Sequence, residues 1–236
     1  MLEALLNFTG WPLPVLQIGL VAAWLGVVGL ISQGLYLTHS VSGEITRKIV
    51  HIGAGNVILL AWWLQTPTWM GIMASIAFSL VALLSYWLPI LPGINSVGRT
   101  SLGTFFYAVS IGVLTATFWP QGLPEFAVLG ILTMTWGDGM AALVGQSIGR
   151  HPYQVWEMKK SWEGTSAMAL VSFAAGWLVL GSVYGFTLTM GAIALIVALS
   201  ATLLESFSKW GIDNLTVPLS SGFFAYGLWA VIVANP

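Results

Sequence analysis

Apolar residues run along this chain in long stretches, separated by short segments that contain proline, glycine or charged residues. Most stretches approach the roughly 20 residues that an α-helix needs to cross the hydrocarbon core of a bilayer. Runs of this length predict membrane-spanning helices and not the alternating strands of a soluble sheet. The predicted spans are residues 15–37, 49–65, 69–90, 103–119, 125–148, 165–183, 187–204 and 215–234.

The composition supports this prediction. Hydrophobic residues make up 57% of the 236 positions and charged residues only 6%, where soluble domains carry about 25% charged residues. We therefore expect an all-α fold, a polytopic bundle of seven or eight transmembrane helices, in a single integral-membrane domain over residues 1–236. A cleaved signal peptide is not expected, because no Lys or Arg precedes Arg47 and the first apolar run is long enough to span.

Charge and cysteine content exclude several functions. A formal net charge of −1 with 7 basic residues leaves no basic face that could displace counterions from nucleic acid, so nucleic acid is not an expected partner. The chain has no cysteine, which excludes disulfides, thiolate zinc sites and cysteine-bound clusters. Any metal must therefore use oxygen or histidine ligands. Nothing in the sequence indicates an oligomeric state.

The basic residues follow alternate predicted spans, the first, third, fifth and seventh. They are Arg47, Lys48, Arg99, Arg150, Lys159, Lys160 and Lys209. Alternate loops lie on one side of a membrane, and the positive-inside rule assigns these loops to the cytosol, with the amino terminus outside. Of the 7 basic and 8 acidic residues, all but Glu3 and Glu125 lie in or beside these loops or on the cytosolic half of the fifth span. The polar chemistry is thus expected at the cytosolic face.

The first polar cluster extends from Glu44 to His51. Helical spacing places Glu44 one turn before Lys48, and Arg47 one turn before His51. An i,i+4 ion pair between Glu44 and Lys48 in a cytosolic anchor is one interpretation. A site in which His51 holds a carboxylate or phosphate oxygen is the other.

The second cluster surrounds Asp138. In a helix, Asp138, Ala141, Gly145 and Gly149 share one face, with Arg150 directly after it. Small residues in this pattern permit close packing of another helix, and they equally admit a phosphate or a metal against the backbone. Packing explains the glycines but not the carboxylate. We therefore expect Asp138 to bind Mg²⁺, which favours hard oxygen donors and usually accompanies phosphates.

The third cluster lies where the sixth span begins. It combines cations, hydroxyls, a carboxylate and a glycine: Lys159, Lys160, Ser161, Glu163, Gly164 and Thr165. Free N–H groups and the positive end of the helix dipole would face an anion here. The cluster is therefore either a phosphate-binding loop or a solvated cytosolic loop. The chain has no Gly-x-x-x-x-Gly-Lys-Ser/Thr motif, so the loop is not a P-loop.

The fourth cluster precedes the last span. Glu205, Lys209 and Asp213 are spaced i, i+4 and i+8, which permits an ion-paired helix unless Gly211 ends it first. Together with Asn214 and the carboxylate of the second cluster, these acids would complete a metal–phosphate site. The four clusters thus supply the parts of a phosphoryl-transfer site, in which positioning and charge neutralisation do most of the catalysis. Its position at the membrane face favours a lipid substrate.

These segments resemble the CTP-dependent polyprenol kinase family, and most of all the phytol kinases of cyanobacteria and plastids. The matching segments, in order, are Arg-Lys-Ile-Val-His at 47–51, Gly-Asp-Gly-Met-Ala-Ala at 137–142, Lys-Ser-Trp-Glu-Gly-Thr at 160–165 and Asp-Asn-Leu-Thr-Val-Pro at 213–218. The resemblance implies transfer of the γ-phosphate of CTP to phytol, with Mg²⁺, for tocopherol and prenyl-quinone synthesis. It implies a multi-pass protein of the cell inner membrane or thylakoid membrane, with its active site facing the cytosol.

The resemblance also implies roles for individual residues. Asp138, Lys160 and Asp213 would be catalytic, and Asp138, Asp213 and Glu205 would bind the metal. The implied nucleotide- and phosphate-binding residues are Arg47, Lys48, His51, Gly145, Gly149, Arg150, Lys159, Ser161, Glu163, Gly164, Thr165 and Asn214.

Two other functions are weighed against the kinase. CDP-diacylglycerol synthases carry Asp-Arg followed by a further Asp where this chain has Asp-Asn-Leu-Thr at 213–216, which favours a kinase over a cytidylyltransferase. A transporter would place ionisable groups at several membrane depths, whereas here one face holds nearly all of them. The short chain suits a C15–C20 alcohol, so farnesol and geranylgeraniol stay open as alternatives to phytol.

Overall fold

The computed structural model describes residues 12–38, 42–88 and 102–234. Its helices are α1 (Leu13–Leu37), α2 (Gly43–Gly55), α3 (Val57–Trp63), α4 (Thr68–Leu84), α5 (Gly103–Phe118), α6 (Pro124–Leu132), α7 (Gly139–Ile148), α8 (Trp162–Tyr184), α9 (Leu188–Phe207) and α10 (Asp213–Trp229). Two π-helical segments, Thr133–Asp138 and Ala230–Ala234, continue α6 and α10. A hairpin of antiparallel strands β1 (Pro152–Val155) and β2 (Met158–Ser161) joins α7 to α8.

Within the described residues, five helical segments are long and apolar enough to cross a membrane. They are Leu13–Leu35, Pro124–Ile148, Trp162–Tyr184, Leu188–Phe207 and Asp213–Ala234. Helices α4 and α5 are also apolar but have only 17 and 16 residues. The prediction of a helical fold with several helices that could span a membrane is confirmed, with the short hairpin as an addition to it. The number of seven or eight spans and the orientation stay predictions.

The second predicted span, residues 49–65, is divided into α2 and α3. The two helices meet at Asn56, whose side-chain oxygen accepts a hydrogen bond from Trp136 Nε1 at 2.7 Å. Helix α2 begins earlier than predicted because the Ser42 hydroxyl caps it, accepting the N–H of Ile45 at 3.3 Å. The first polar cluster therefore lies on a helix. In the third predicted span, residues 89 and 90 are outside the described residues, as is Arg99.

Helix α6 forms the centre of the bundle. All its residues from Glu125 to Leu132 are buried, and it packs against α3, α5, α8 and α10. The largest hydrophobic cluster surrounds it and includes Phe118, Leu180 and Ile193. At its first turn, the buried Glu125 carboxylate accepts a hydrogen bond from the Tyr184 hydroxyl. Glu125 lies outside the four polar clusters. Its hydrogen bond with Tyr184 explains how a carboxylate is stabilised at this buried position.

The π-helical segment at the end of α6 leads directly into the second polar cluster. It covers Thr133–Asp138, so Asp138 is its last residue. A π-helical turn has a wider backbone spacing than an α-helix, is rare, and occurs frequently at functional sites. The segment packs against α2, α8, α9 and α10. Asp138 consequently lies at the end of the buried segment formed by α6 and the π-helical turn, where several helices meet.

Candidate active site

Helix α2 brings Lys48 and His51 to the carboxylate of Asp138. Lys48 Nζ donates to Asp138 Oδ2 in an ion pair. His51 Nε2 lies 3.7 Å from the same oxygen and 3.4 Å from the carbonyl oxygen of Met134. Lys48 and Asp138 are only 7% and 6% exposed. Because an uncompensated charge is costly at membrane depth, each stabilises the burial of the other.

The ion pair between Glu44 and Lys48, one of the two interpretations of the first cluster, is not formed. Glu44 instead binds Arg47 with two contacts, from Nη2 at 2.5 Å and from Nε at 3.1 Å. This local pair leaves Lys48 to contact Asp138, which is 90 residues away in the chain. The cation paired with Asp138 is therefore Lys48, which the packing of α2 brings close to it.

A second, partly buried ion pair joins the hairpin to α9. Lys160, on β2, donates from Nζ to Glu205 Oε1 at 2.5 Å and to the Glu205 carbonyl oxygen at 2.6 Å. Glu205 lies in the last turn of α9, where carbonyl groups lack helical partners and carry partial negative charge. Lys160 thus neutralises both a carboxylate and a helix end.

The ion-paired helix considered for the fourth cluster is also not formed. Helix α9 ends at Phe207, before Lys209. The Lys209 ammonium lies 5.0 Å from the centre of the Trp156 ring at the turn of the hairpin. Glu205 is consequently bound by a lysine of another segment, and Asp213 begins a new helix, α10.

Asp213 is the carboxylate of the site without an ion pair among the described residues. Its Oδ1 accepts the backbone N–H of Asn214 at 3.1 Å and the Asn214 side-chain amide at 3.2 Å. It interacts electrostatically with Asp138, Lys48 and Lys160. The second, third and fourth clusters therefore approach one another, and the Asp213 carboxyl group has no cationic partner among the described residues.

The three predicted metal ligands have different surroundings. Asp138 and Glu205 are each bound to a lysine, and the described part of the chain contains no group of three His, Asp or Glu side chains arranged to hold a metal. Magnesium bound together with a nucleotide needs only one or two protein carboxylates, because phosphates and water supply the other ligands. Asp213 with Asp138 fits that requirement. Metal binding by all three stays a prediction.

The glycines of the second and third clusters lie where α7 packs against the start of α8. A Cβ on Gly149 would lie 2.2 Å from the Gly145 carbonyl oxygen, and one on Gly164 would lie 2.7 Å from the Ala141 carbonyl oxygen. Ser161 Oγ, which would be 2.9 Å from that Gly149 Cβ, caps α8 by accepting the N–H of Gly164 at 3.2 Å. Close packing therefore accounts for these glycines, and their contact with phosphate stays a prediction.

Replacing Gly164 with alanine should destabilise the protein by roughly 1–3 kcal/mol, the usual cost of overpacking, because backbone leaves no room for the methyl group. Gly26 in α1 is the matched control: its Cβ would meet nothing within 4 Å. Alanine there should be neutral or slightly stabilising. Thermal unfolding in detergent measures both variants, and equal melting temperatures would contradict the close packing of α7 on α8.

The remaining residues of the third cluster fix the hairpin to α8. His151 Nδ1 lies 2.6 Å from Glu163 Oε1, and the Tyr153 hydroxyl lies 2.5 Å from Thr165 Oγ1. These contacts hold β2, and with it Lys160, beside α8. Two predicted phosphate-binding residues are exposed in this region: Arg150 and Lys159. Phosphate binding by these two cations stays a prediction.

Two residues of the site, Tyr107 and Thr135, are not among those predicted from the sequence. The Tyr107 ring of α5 packs on His51 with 4.6 Å between ring centres, and its hydroxyl is hydrogen-bonded to Thr135 Oγ1. Both residues are buried. Tyr107 lies in an apolar span beside two phenylalanines, so its residue type and position resemble those of an ordinary packing residue. Only the long-range contact distinguishes it.

Comparison with known proteins identifies the family of the chain. No family model and no solved structure matches the chain. The chain is 52% identical to a phytol kinase of Synechocystis sp. over 217 residues, which cover 91% of this chain and 93% of that protein. It is 32% identical to a probable chloroplastic phytol kinase 2 of Oryza sativa subsp. japonica, over 75% of this chain and 64% of that protein. It is 28% identical to a chloroplastic farnesol kinase of Arabidopsis thaliana, over 79% and 66% respectively. The extent of the first match shows that this chain belongs to the phytol kinase family.

Proposed function

We propose that this protein transfers the γ-phosphate of CTP to the hydroxyl group of phytol or a related C15–C20 prenol, for tocopherol and prenyl-quinone synthesis. The observation that carries the proposal is the approach of Lys48, Asp138, Lys160 and Asp213 to one another in a chain of this family. The farnesol kinase among the relatives supports a prenol as the acceptor.

The proposed reaction depends mainly on positioning and on neutralising charge. The hydroxyl oxygen forms a bond to the γ-phosphorus, the bond from that phosphorus to the β,γ-bridging oxygen breaks, and CDP leaves with the electron pair while the hydroxyl proton is released. Lys48, which is buried, and Lys160, which is partly buried, are the cations of the site available to phosphate oxygens. Each is held by a carboxylate, Asp138 or Glu205, so the ammonium groups stand in defined positions before the nucleotide binds.

The donor set fits a magnesium ion that binds with the nucleotide. The Asp213 carboxylate accepts only amide N–H groups among its described hydrogen bonds, and Asp138 interacts with it electrostatically. These hard oxygen donors suit Mg²⁺, which would neutralise charge on the phosphates when bound. Glu205, the third candidate, is already engaged by Lys160.

We further propose seven or eight spans with the amino terminus outside and the site on the cytosolic face of the cell inner membrane or thylakoid membrane. The four basic loops support this orientation. The contacts that join Lys48 to Asp138 and Lys160 to Glu205 also bring the loops after the first, fifth and seventh predicted spans to the same end of the bundle.

Single cysteines can test the orientation, because the chain has none of its own. Glu157 lies in the hairpin turn and Gln121 lies between α5 and α6, and both are exposed. An impermeant maleimide should label Gln121→Cys in intact bacterial cells and Glu157→Cys only after the membrane is permeabilised. The reverse pattern would contradict the proposed orientation.

The activity is tested with purified protein in detergent micelles containing Mg²⁺. CTP, UTP and ATP are each combined with phytol, farnesol, geranylgeraniol or phosphatidate, and the products are identified by mass. The proposal expects phytyl monophosphate and CDP from the pair of CTP and phytol. Pyrophosphate release with phosphatidate, without any phosphorylated alcohol, would assign the chain to the cytidylyltransferases. Absence of any product would contradict both enzymatic functions and favour a transporter.

A further inference from the structure

Tyr107 of α5 lies between α2 and the π-helical segment that ends at Asp138. Its ring packs against the His51 imidazole in a tilted arrangement, with 4.6 Å between centres and 30° between planes. Its hydroxyl is hydrogen-bonded to the hydroxyl of Thr135, a residue with no exposed surface. One side chain thus contacts both the imidazole and the backbone segment that presents the carboxylate.

The surroundings leave Tyr107 little freedom. A Cβ on Gly55 of α2 would lie 2.1 Å from Thr135 Oγ1 and 2.2 Å from the Tyr107 hydroxyl, so α2 is in close contact with this hydroxyl pair. The phenol also packs in a hydrophobic cluster with Met168 and Val217. The ring is therefore fixed by packing along its length and by a hydrogen bond at its end.

His51 depends on this contact for its orientation. Its Nε2 is 3.4 Å from the Met134 carbonyl oxygen, at the outer limit for a hydrogen bond, and 3.7 Å from Asp138 Oδ2. Contacts of that length restrain a ring weakly. The Tyr107 ring is the aromatic neighbour of the imidazole among the described residues, and their tilted contact restrains the plane of the imidazole.

We infer that Tyr107 is a positioning residue, whose ring, held by Thr135, keeps His51 directed at Asp138. For its effect on turnover, the inference rests on the proposed kinase function. For the orientation of the imidazole, it rests on the geometry alone. In this role Tyr107 acts through His51 and not through a contact with the phosphoryl group.

A double-mutant cycle tests the effect on turnover. Tyr107→Phe keeps the ring but removes its hydroxyl, and Thr135→Val removes the partner hydroxyl with little change of shape. Each change should lower kcat about 3- to 10-fold, and the double variant should be no worse than either one, because groups that act as a unit are not additive. KM for CTP should stay within about twofold, since no nucleotide contact is removed. Tyr226→Phe, in the core around α6 and away from the site, should keep full turnover.

Nuclear magnetic resonance of isotope-labelled histidine measures the orientation directly. The chain has 3 histidines, and His51→Gln identifies the signals of the central one. Thr135→Val should shift the His51 ring signals, because a phenol released from its hydrogen bond changes position relative to the imidazole and with it the ring current there, and Tyr226→Phe should not. Unshifted His51 signals, or full kcat in folded Thr135→Val protein, would overturn the inference. If the unsubstituted protein has no kinase activity, the proposed function fails and the signal shifts alone decide the inference.

Discussion

Asp138→Asn is expected to lower phytol phosphorylation by roughly 10²- to 10³-fold, the scale seen when a preorganised electrostatic group is removed from an active site. The change removes the charge that holds Lys48 and that faces a nucleotide-bound cation, with little change in volume. It also leaves Lys48 buried without its partner, which costs about 3–5 kcal/mol. Turnover per folded protein is therefore measured together with the melting temperature.

A double substitution separates catalysis from stability. Replacing the pair by Lys48→Met and Asp138→Leu exchanges two buried charges for apolar side chains of similar size, which is often neutral or stabilising. The double variant should fold as stably as the unsubstituted protein and stay inactive. Activity in this variant would show that the two charges only neutralise each other. Asp138 would then no longer be a residue of the proposed site.

Lys160→Met is expected to lower kcat/KM for CTP by about 100-fold while changing KM for phytol by less than about threefold. The ammonium is partly buried beside Glu205 and interacts with Asp213, where a triphosphate would bring negative charge. The apolar chain of methionine keeps most of the packing of the lysine stem.

Lys209→Met is the matched control for this variant. Lys209 belongs to the adjacent loop and contacts the Trp156 ring, not a carboxylate. Its removal should change both constants by less than about twofold, as expected of a surface contact. Equal losses with both substrates in Lys160→Met would show that the loop is not specific to the nucleotide.

Much of the architecture could be predicted from the sequence because the bilayer restricts the choice of structure. Long apolar runs predict helices, and five of them are confirmed as long enough to span. The same restriction singles out Asp138, Lys160 and Asp213, since a chain with 6% charged residues keeps few charges without a reason. Alternation of loops across the membrane then predicts that these residues lie on one side.

The pairing within the site could not be predicted in the same way. Glu44 has cations both three and four residues ahead, and helical spacing allows either. The structure selects Arg47, which leaves Lys48 for a carboxylate in a different helix. That choice depends on how α2 packs on the π-helical segment, and neither the break at Asn56 nor the π turn is marked by a proline.

The hairpin before α8 also lacks a sequence signal. Its turn contains Trp156 in the left-handed region, with φ of 54°, where two-residue hairpin turns usually have Asn-Gly or Asp-Gly. The polar residues of this segment therefore predict a loop. The hairpin matters because it directs Lys160 toward Glu205, a contact that spacing along the chain does not indicate.

The most direct test of the central claim is a single-turnover reaction of the purified protein with phytol and CTP labelled at the γ-phosphorus. If Asp138, Lys160 and Asp213 form one phosphoryl-transfer site, the label should appear in phytyl monophosphate, up to one per protein molecule, and Asp138→Asn should slow its appearance by roughly 10²- to 10³-fold. Label released as pyrophosphate, or normal transfer by folded Asp138→Asn protein, would contradict the claim.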